Sequence, residues 1–151
     1  MNKLIISLLL IFYLSNLLAE DTYKYRLMGK MKAESIVLDN GSTFNFFSWD
    51  GAFSDNKGNF GDGYGRGIRE AGSDGNLINL NVLNVFEDSK GKGSFWARSR
   101  RVDSGLEGGG GYSEVLDATG IFEFLKNTTC RYAVSFTKKG AVYQETTCKL
   151  E

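Results

Sequence analysis

Apolar and polar side chains alternate along many short stretches of this chain, and clusters of Gly, Asn, Asp and Ser separate those stretches. No window sustains the i, i+3, i+4, i+7 apolar spacing of an amphipathic helix. A period of two places successive side chains on opposite faces of a strand, so the pattern predicts an all-β fold. The predicted segments are residues 22–31, 33–39, 42–53, 59–69, 76–87, 93–102, 110–116, 119–125, 128–137 and 141–150.

Short links join these segments, and residues 39–41, 55–58 and 88–91 each end on the Gly that a tight hairpin favours. Short links imply that consecutive strands pair antiparallel, as in a meander. Merging neighbouring segments leaves about eight strands, and closing such a meander removes its two exposed edges. Residues 20–151 are therefore predicted to form a single domain, a small closed antiparallel β-barrel.

The last hairpin can be aligned residue by residue. Lys138-Lys139-Gly140 reads as a three-residue loop that ends on a left-handed glycine. Centring the hairpin on Lys139 places Cys130 directly opposite Cys148, so we predict that these cysteines form a disulfide. Alternation then sends the cystine face inward.

The N-terminus has the pattern of a secretory signal peptide. Lys3 precedes an apolar run that starts at Leu4, and Ala19 is followed by the acidic pair Glu20-Asp21. Cleavage after Ala19 is predicted, with residues 1–19 removed, and an uncleaved anchor is the alternative. The exported chain is expected to be secreted or periplasmic, without a membrane span.

Composition excludes several chemistries. The chain has no His, so zinc sites of the Cys/His type and catalytic Ser-His-Asp or Cys-His groups are excluded. Its 18 basic and 18 acidic side chains give no electrostatic case for nucleic acid or an anionic membrane as a partner. We predict no metal site and no cofactor.

The segment 59–69 carries a glycine at every second position, so one face of that strand lacks side chains. The glycines are Gly61, Gly63, Gly65 and Gly67. Such a face marks a sharply bent segment, packing against aromatic rings such as Phe47 or Trp49, or space for a ligand. All of these interpretations stay open at this point.

The other face of the same segment carries Asp62, Tyr64 and Arg66. If this face pointed inward, the three side chains could orient a ligand or supply an acid and a base. Because buried Asp and Arg side chains are uncommon, an outward orientation is the more frequent arrangement. The sequence alone does not decide between the two orientations.

Alternation also predicts which side chains line the barrel: Phe44, Phe46, Tyr132, Val134, Phe136 and Val142, with the glycines of segment 59–69 bordering any cavity. The candidate ligand-binding residues are accordingly Asp62, Tyr64, Arg66, Gly63, Gly65, Phe44 and Phe46. No catalytic residue is assigned.

Ala118-Thr119-Gly120-Ile121-Phe122 resembles the Gly-Thr-Gly-x-Phe signature of the allene oxide cyclase-like and dirigent-like barrels, and residues 129–136 resemble the alternating strand that follows it. Ala118 replaces the first Gly of the signature. The resemblance implies an eight-stranded antiparallel barrel with a small apolar mouth, in a superfamily whose members cyclise or steer reactive small molecules. The cyclase site of that family uses a proline, and this chain has none.

Three functions remain open from the sequence. The first is an exported barrel that binds a small apolar or amphipathic molecule inside. The second is a non-catalytic envelope or extracellular protein that acts through its surface. The third is a cyclase or isomerase of the allene oxide cyclase-like type. The interior of the barrel should distinguish the three functions. An open apolar cavity favours the ligand-binding barrel, a sealed interior favours the protein that acts through its surface, and a cavity with a desolvated carboxylate favours the enzyme.

Overall fold

The computed structural model describes residues 21–101 and 108–150, which form eight antiparallel strands closed into a barrel in sequence order. The elements are β1 (Thr22–Val37), β2 (Thr43–Asp55), β3 (Phe60–Ala71), β4 (Leu77–Asp88), β5 (Ser94–Arg101), β6 (Gly108–Ala118), a 3-10 helix (Gly120–Leu125), β7 (Thr129–Phe136) and β8 (Ala141–Lys149). The predicted closed antiparallel barrel is confirmed. The predicted signal peptide, residues 1–19, lies outside the described residues.

Strand β1 closes the barrel because it pairs with the last strand, β8, as well as with β2. Residues 22–30 pair with β8, and residues 25–37 pair with β2. The two predicted segments 22–31 and 33–39 therefore merge into one strand, since no turn-forming residue separates them. The offset between the two partners is the stagger that a closed barrel needs.

The segment 119–125 was predicted as a strand, and this prediction is wrong: residues 120–125 form the 3-10 helix. Phe122 and Leu125, three residues apart, are its buried side chains. A 3-10 helix has three residues per turn, so this spacing puts both side chains on one face. That face covers the lower end of the barrel, the end at which β1 begins.

Aromatic rings fill the lower half of the interior. Phe86 stacks on Phe95 at 4.5 Å between ring centroids, and Tyr25, Phe53 and Phe122 contact these rings edge-on at 5.1–6.0 Å. Edge-to-face pairs at these distances add to the free energy gained by burial. The lower half is therefore solid, and any internal space lies toward the upper end, where the β1–β2, β3–β4 and β7–β8 turns lie.

The β7–β8 hairpin has the predicted register, with Cys130 paired to Cys148 and a disulfide between them. Gly140 has φ +79°, the left-handed conformation expected at the end of this loop. The cystine face points inward as predicted, because Tyr132, Val134 and Val142 on that face are all buried. A disulfide fits an oxidising compartment.

Candidate functional site

The glycine face of β3 points into the barrel and packs against aromatic rings. A Cβ added at Gly63 would lie 2.9 Å from Cη2 of Trp49 and 3.2 Å from Cδ1 of Phe86, and one added at Gly65 would overlap Trp49 Nε1. At Gly67 the added atom would lie 2.9 Å from Cζ of Phe47. Of the readings left open by the sequence, packing against Phe47 and Trp49 is thus the observed one.

The polar face of β3 points outward. Asp62, Tyr64 and Arg66 are exposed on the outer surface of the barrel, so they cannot orient a ligand inside it. Phe46 is 48% exposed, and Phe44 lies on the same outer face of β2. The prediction that these two phenylalanines line the interior is wrong.

The side chains of β2 that were predicted to point inward point outward, and packing against the neighbouring strand β3 is the reason. Trp49 pairs with Gly65 and Phe47 with Gly67, so only the phase that turns these rings inward fills the volume that the glycines leave. The run Phe44-Asn45-Phe46-Phe47 has apolar residues in both phases. Alternation alone therefore could not choose between them.

A cavity of about 40 Å³ lies in the upper half of the barrel. Its wall is mostly apolar, and it reaches solvent beside Met31, Phe47 and Phe136, which are only partly buried. The lining residues are Leu27, Met31, Phe47, Trp49, Leu80, Val82, Asn84, Ser99, Tyr132, Val134, Phe136, Val142 and Gln144. None of them is a glycine, because the rings of Phe47 and Trp49 separate β3 from the cavity. Four residues of the predicted lining, on β7 and β8, do line it.

A chain of hydrogen bonds crosses one wall of this cavity. Trp49 Nε1 donates to Asn84 Oδ1 at 2.8 Å, and Asn84 Nδ2 donates to Ser99 Oγ at 2.9 Å. Ser99 Oγ lies 3.1 Å from Ser113 Oγ. Satisfied polar networks of this kind hold their members in one geometry, so Trp49 is fixed beside the cavity.

Two arginines flank the cavity wall at Leu80. Leu80 pairs with Arg69 on one side and with Arg101 on the other, and all three side chains point inward. Arg69 Nη2 donates to Asn45 Oδ1 at 3.0 Å, whereas its buried Nε has no hydrogen-bond partner among the described residues. Burial lowers the pKa of both arginines, and the charge of Arg69 also lowers the pKa of Arg101. Two guanidinium groups therefore lie next to the cavity, on either side of the lining residue Leu80.

Because of the buried tyrosines, the free energy of unfolding should depend on pH in the alkaline range. Burial raises the pKa of Tyr132 to about 12, and Arg101 opposes this shift. Burial also raises the pKa of Tyr25, and it raises that of Tyr23, whose hydroxyl donates to Asp55 at 2.9 Å. Because the pKa of each tyrosine is higher in the folded than in the unfolded state, each one stabilises the fold. This stabilisation is complete below pH 10 and is lost as the pH rises through the folded-state pKa.

We therefore expect the free energy of unfolding to fall between pH 10 and 12, by about 1.4 kcal/mol per pH unit for each tyrosine that stays neutral in the folded state. Urea unfolding at pH 8, 10 and 11 measures this slope. Tyr132→Phe should reduce the slope, whereas Tyr64→Phe at an exposed position should not. Equal slopes in all three proteins would contradict the assignment.

Three residues beside the cavity were not among the site residues predicted from the sequence: Asn84, Gln144 and Arg69. Asn84 is an isolated polar residue at an inward position of the otherwise apolar stretch from Val82 to Phe86, and this is the signal that could have revealed it. Arg69 lies two residues after Gly67 on β3, so its side chain is on the same inward face as the glycines. Gln144 lies on the cystine face that the hairpin register had already turned inward.

No family model and no curated protein sequence matches this chain. Among residues 21–101 and 108–150, no helix is long and apolar enough to cross a membrane. The same part of the chain holds no group of three or more acidic or Cys side chains placed to bind a metal ion.

Proposed function

We propose that this protein is a secreted or periplasmic carrier that binds a small amphipathic molecule in the upper half of its barrel. The apolar part of the ligand occupies the cavity, and its polar end lies near Arg69. The observation that carries this proposal is an apolar cavity, open at one end, beside two inward-facing arginines. Apolar pockets with a few placed polar groups are the usual form of small-molecule sites.

The size of the cavity limits the ligand. A volume of 40 Å³ holds a few water molecules as the cavity stands. Met31 lies at the opening and is only partly buried, and an unbranched thioether side chain moves aside at small cost. A short alkyl chain is thus the kind of apolar group that fits.

The positive charge selects the polar end of the ligand. Arg69 has a buried Nε without a partner among the described residues, and a carboxylate would accept a charge-assisted hydrogen bond from it. We therefore favour a short-chain carboxylate over a neutral alcohol. The export expected for the chain is supported by the Cys130–Cys148 disulfide.

The enzyme alternative has less support. A cyclase or isomerase of the allene oxide cyclase-like type was expected to show a desolvated carboxylate in the cavity, and the described lining contains none. Tyr132 is the titratable side chain that the lining offers. Membership of that superfamily stays a proposal that rests on residues 118–122 and 129–136.

The test uses the two tryptophans as internal reporters, since Trp49 lines the cavity and Trp96 lies on the outer face. Hexanoate should shift the NMR signal of the Trp49 indole N–H and leave that of Trp96 unchanged. Hexanol, with the same chain and no charge, should bind about tenfold more weakly, because it loses a charge-assisted hydrogen bond. Arg69→Met should remove this difference.

A substitution that fills the cavity provides a second test of the proposed binding. Val142→Phe should weaken hexanoate binding by at least about tenfold while changing the free energy of unfolding by less than about 2 kcal/mol, because the ring enters existing space. The matched control is Val37→Phe, at a position that is 68% exposed. If hexanoate and hexanol both leave Trp49 unshifted, or if Val142→Phe binds like the control, the proposal fails.

A further inference from the structure

The outer surface of β3, β4 and β5 carries a regular grid of arginine and apolar side chains. In register, Tyr64, Val85 and Trp96 form one row across the three strands, Arg66, Leu83 and Arg98 form the next, and Ile68, Asn81 and Arg100 form the third. We call these nine residues the arginine–aromatic face. It lies on the outside of the wall whose inner side carries Val82 and Asn84.

The charged side chains among these nine residues are all basic. Three of the nine residues are arginines and none is acidic, and among the described residues none of these arginines makes an ion pair. Carboxylates border these nine residues: Asp62 and Glu87 form the next row on β3 and β4, and Glu70 lies beyond Ile68 on β3. On the neighbouring strands, Asp50 of β2 and Glu114 and Asp117 of β6 lie in register with the face. Asp117 is paired with Lys126 at 2.8 Å, which reduces its effect on the face.

Three apolar members of the face are exposed to solvent, whereas Val85 is buried and Trp96 is half-buried. Tyr64 is 45%, Ile68 47% and Leu83 48% exposed. Phe46 pairs with Ile68 and extends the apolar surface onto β2. Contiguous apolar side chains on the surface of a soluble domain mark contact sites, and here they alternate with cations.

We propose that the arginine–aromatic face binds the surface of an anionic phospholipid membrane. Arginine guanidinium groups pair with lipid phosphates, and each basic residue near an anionic leaflet adds to the attraction. Aromatic side chains settle at the headgroup level, and exposed aliphatic side chains such as Leu83 and Ile68 bury into the acyl boundary. A nucleic acid would use the arginines and rings but would leave these aliphatic groups in water. The lipid surface accounts for both parts of the face.

This binding is independent of the proposed carrier function, because no residue of the face lines the cavity. The test uses the chain from Glu20, which contains the complete barrel. Vesicles of phosphatidylcholine alone are compared with vesicles in which a third of the lipid is phosphatidylglycerol. We expect at least about tenfold stronger cosedimentation with the anionic vesicles at low salt, and most of this gain should disappear when salt screens the charges.

Two variants locate the binding on this face. Arg66→Glu with Arg98→Glu should abolish the preference for anionic vesicles, and Leu83→Ser should weaken binding about threefold without changing charge. The matched control is Lys90→Glu with Lys92→Glu, which makes the same change of charge at exposed positions in the β4–β5 turn. This control should retain at least half of the wild-type binding.

Three results would overturn the proposal: equal binding to both vesicle types, equal loss in the control and in the arginine variant, or binding to a single-stranded oligonucleotide in place of vesicles. The hexanoate-induced shift of Trp49 should be unchanged in the arginine variant. Loss of vesicle binding with an intact Trp49 shift, or the reverse, therefore separates failure of one proposal from failure of the other.

Discussion

Gly65→Leu should lower the free energy of unfolding by about 4 kcal/mol. Overpacking a filled interior costs about 1–3 kcal/mol, and leaving a buried polar group without its partner costs a similar amount. Both costs apply at Gly65, because an added Cβ overlaps Trp49 Nε1 and lies 2.6 Å from Asn84 Oδ1. The side chain would thus break the 2.8 Å hydrogen bond that fixes Trp49 beside the cavity.

Urea unfolding followed by far-ultraviolet circular dichroism measures this loss. Gly65→Ala provides a smaller perturbation of the same contact in case the leucine variant does not fold, and about 2 kcal/mol is expected for it. The control is Gly110→Ala in β6, where the nearest atom to the added Cβ is the Tyr132 carbonyl oxygen at 3.3 Å and a loss below about 1 kcal/mol is expected. Equal stability of the Gly65 and Gly110 variants would show that the glycine face is not packed.

Loss of the disulfide should cost about 3 kcal/mol. Cys130 and Cys148 are 18 residues apart, and the chain-entropy model gives this value for a loop of that length. Both sulfurs are fully buried, so the double variant Cys130→Ala with Cys148→Ala keeps an apolar surface at the site. The stability lost should therefore come from the removed cross-link rather than from a buried polar group.

Comparing the oxidised wild type, the reduced wild type and the double variant in urea checks this expectation. Reduction should lower the wild-type midpoint to about that of the double variant, and the same reductant should leave the double variant unchanged. Two thiols titrating in the unfolded, unreduced wild type would rule out the bridge.

Local sequence was enough wherever a feature depends on residues close together in the chain. The β7–β8 hairpin is one case, because a three-residue loop ending on Gly140 fixes the register and the register places Cys130 opposite Cys148. The turns that end on Gly41, Gly58 and Gly91 are another, since all three glycines have positive φ. In each case the backbone conformation that glycine permits decides the pairing.

Local pattern failed where apolar residues allowed two readings. Residues 120–125 contain Phe122 and Phe124 at strand spacing but Phe122 and Leu125 at 3-10 spacing, and closure of the lower barrel end selects the second. On β2, Phe46 and Phe47 are adjacent, so one must point out. The partner strand β3 decides which one does.

The sequence by itself determined the all-β class, the meander order, the hairpin register and the disulfide, because alternation and turn chemistry act over a few residues. Only the tertiary structure decided which face of β3 points inward, since that depends on Trp49 and Phe47 filling the space above the glycines from another strand. It also decided where charge accumulates. A chain with equal numbers of basic and acidic residues still concentrates three arginines on one outer face, because strand pairing brings together Arg66 and Arg98, which lie far apart in sequence.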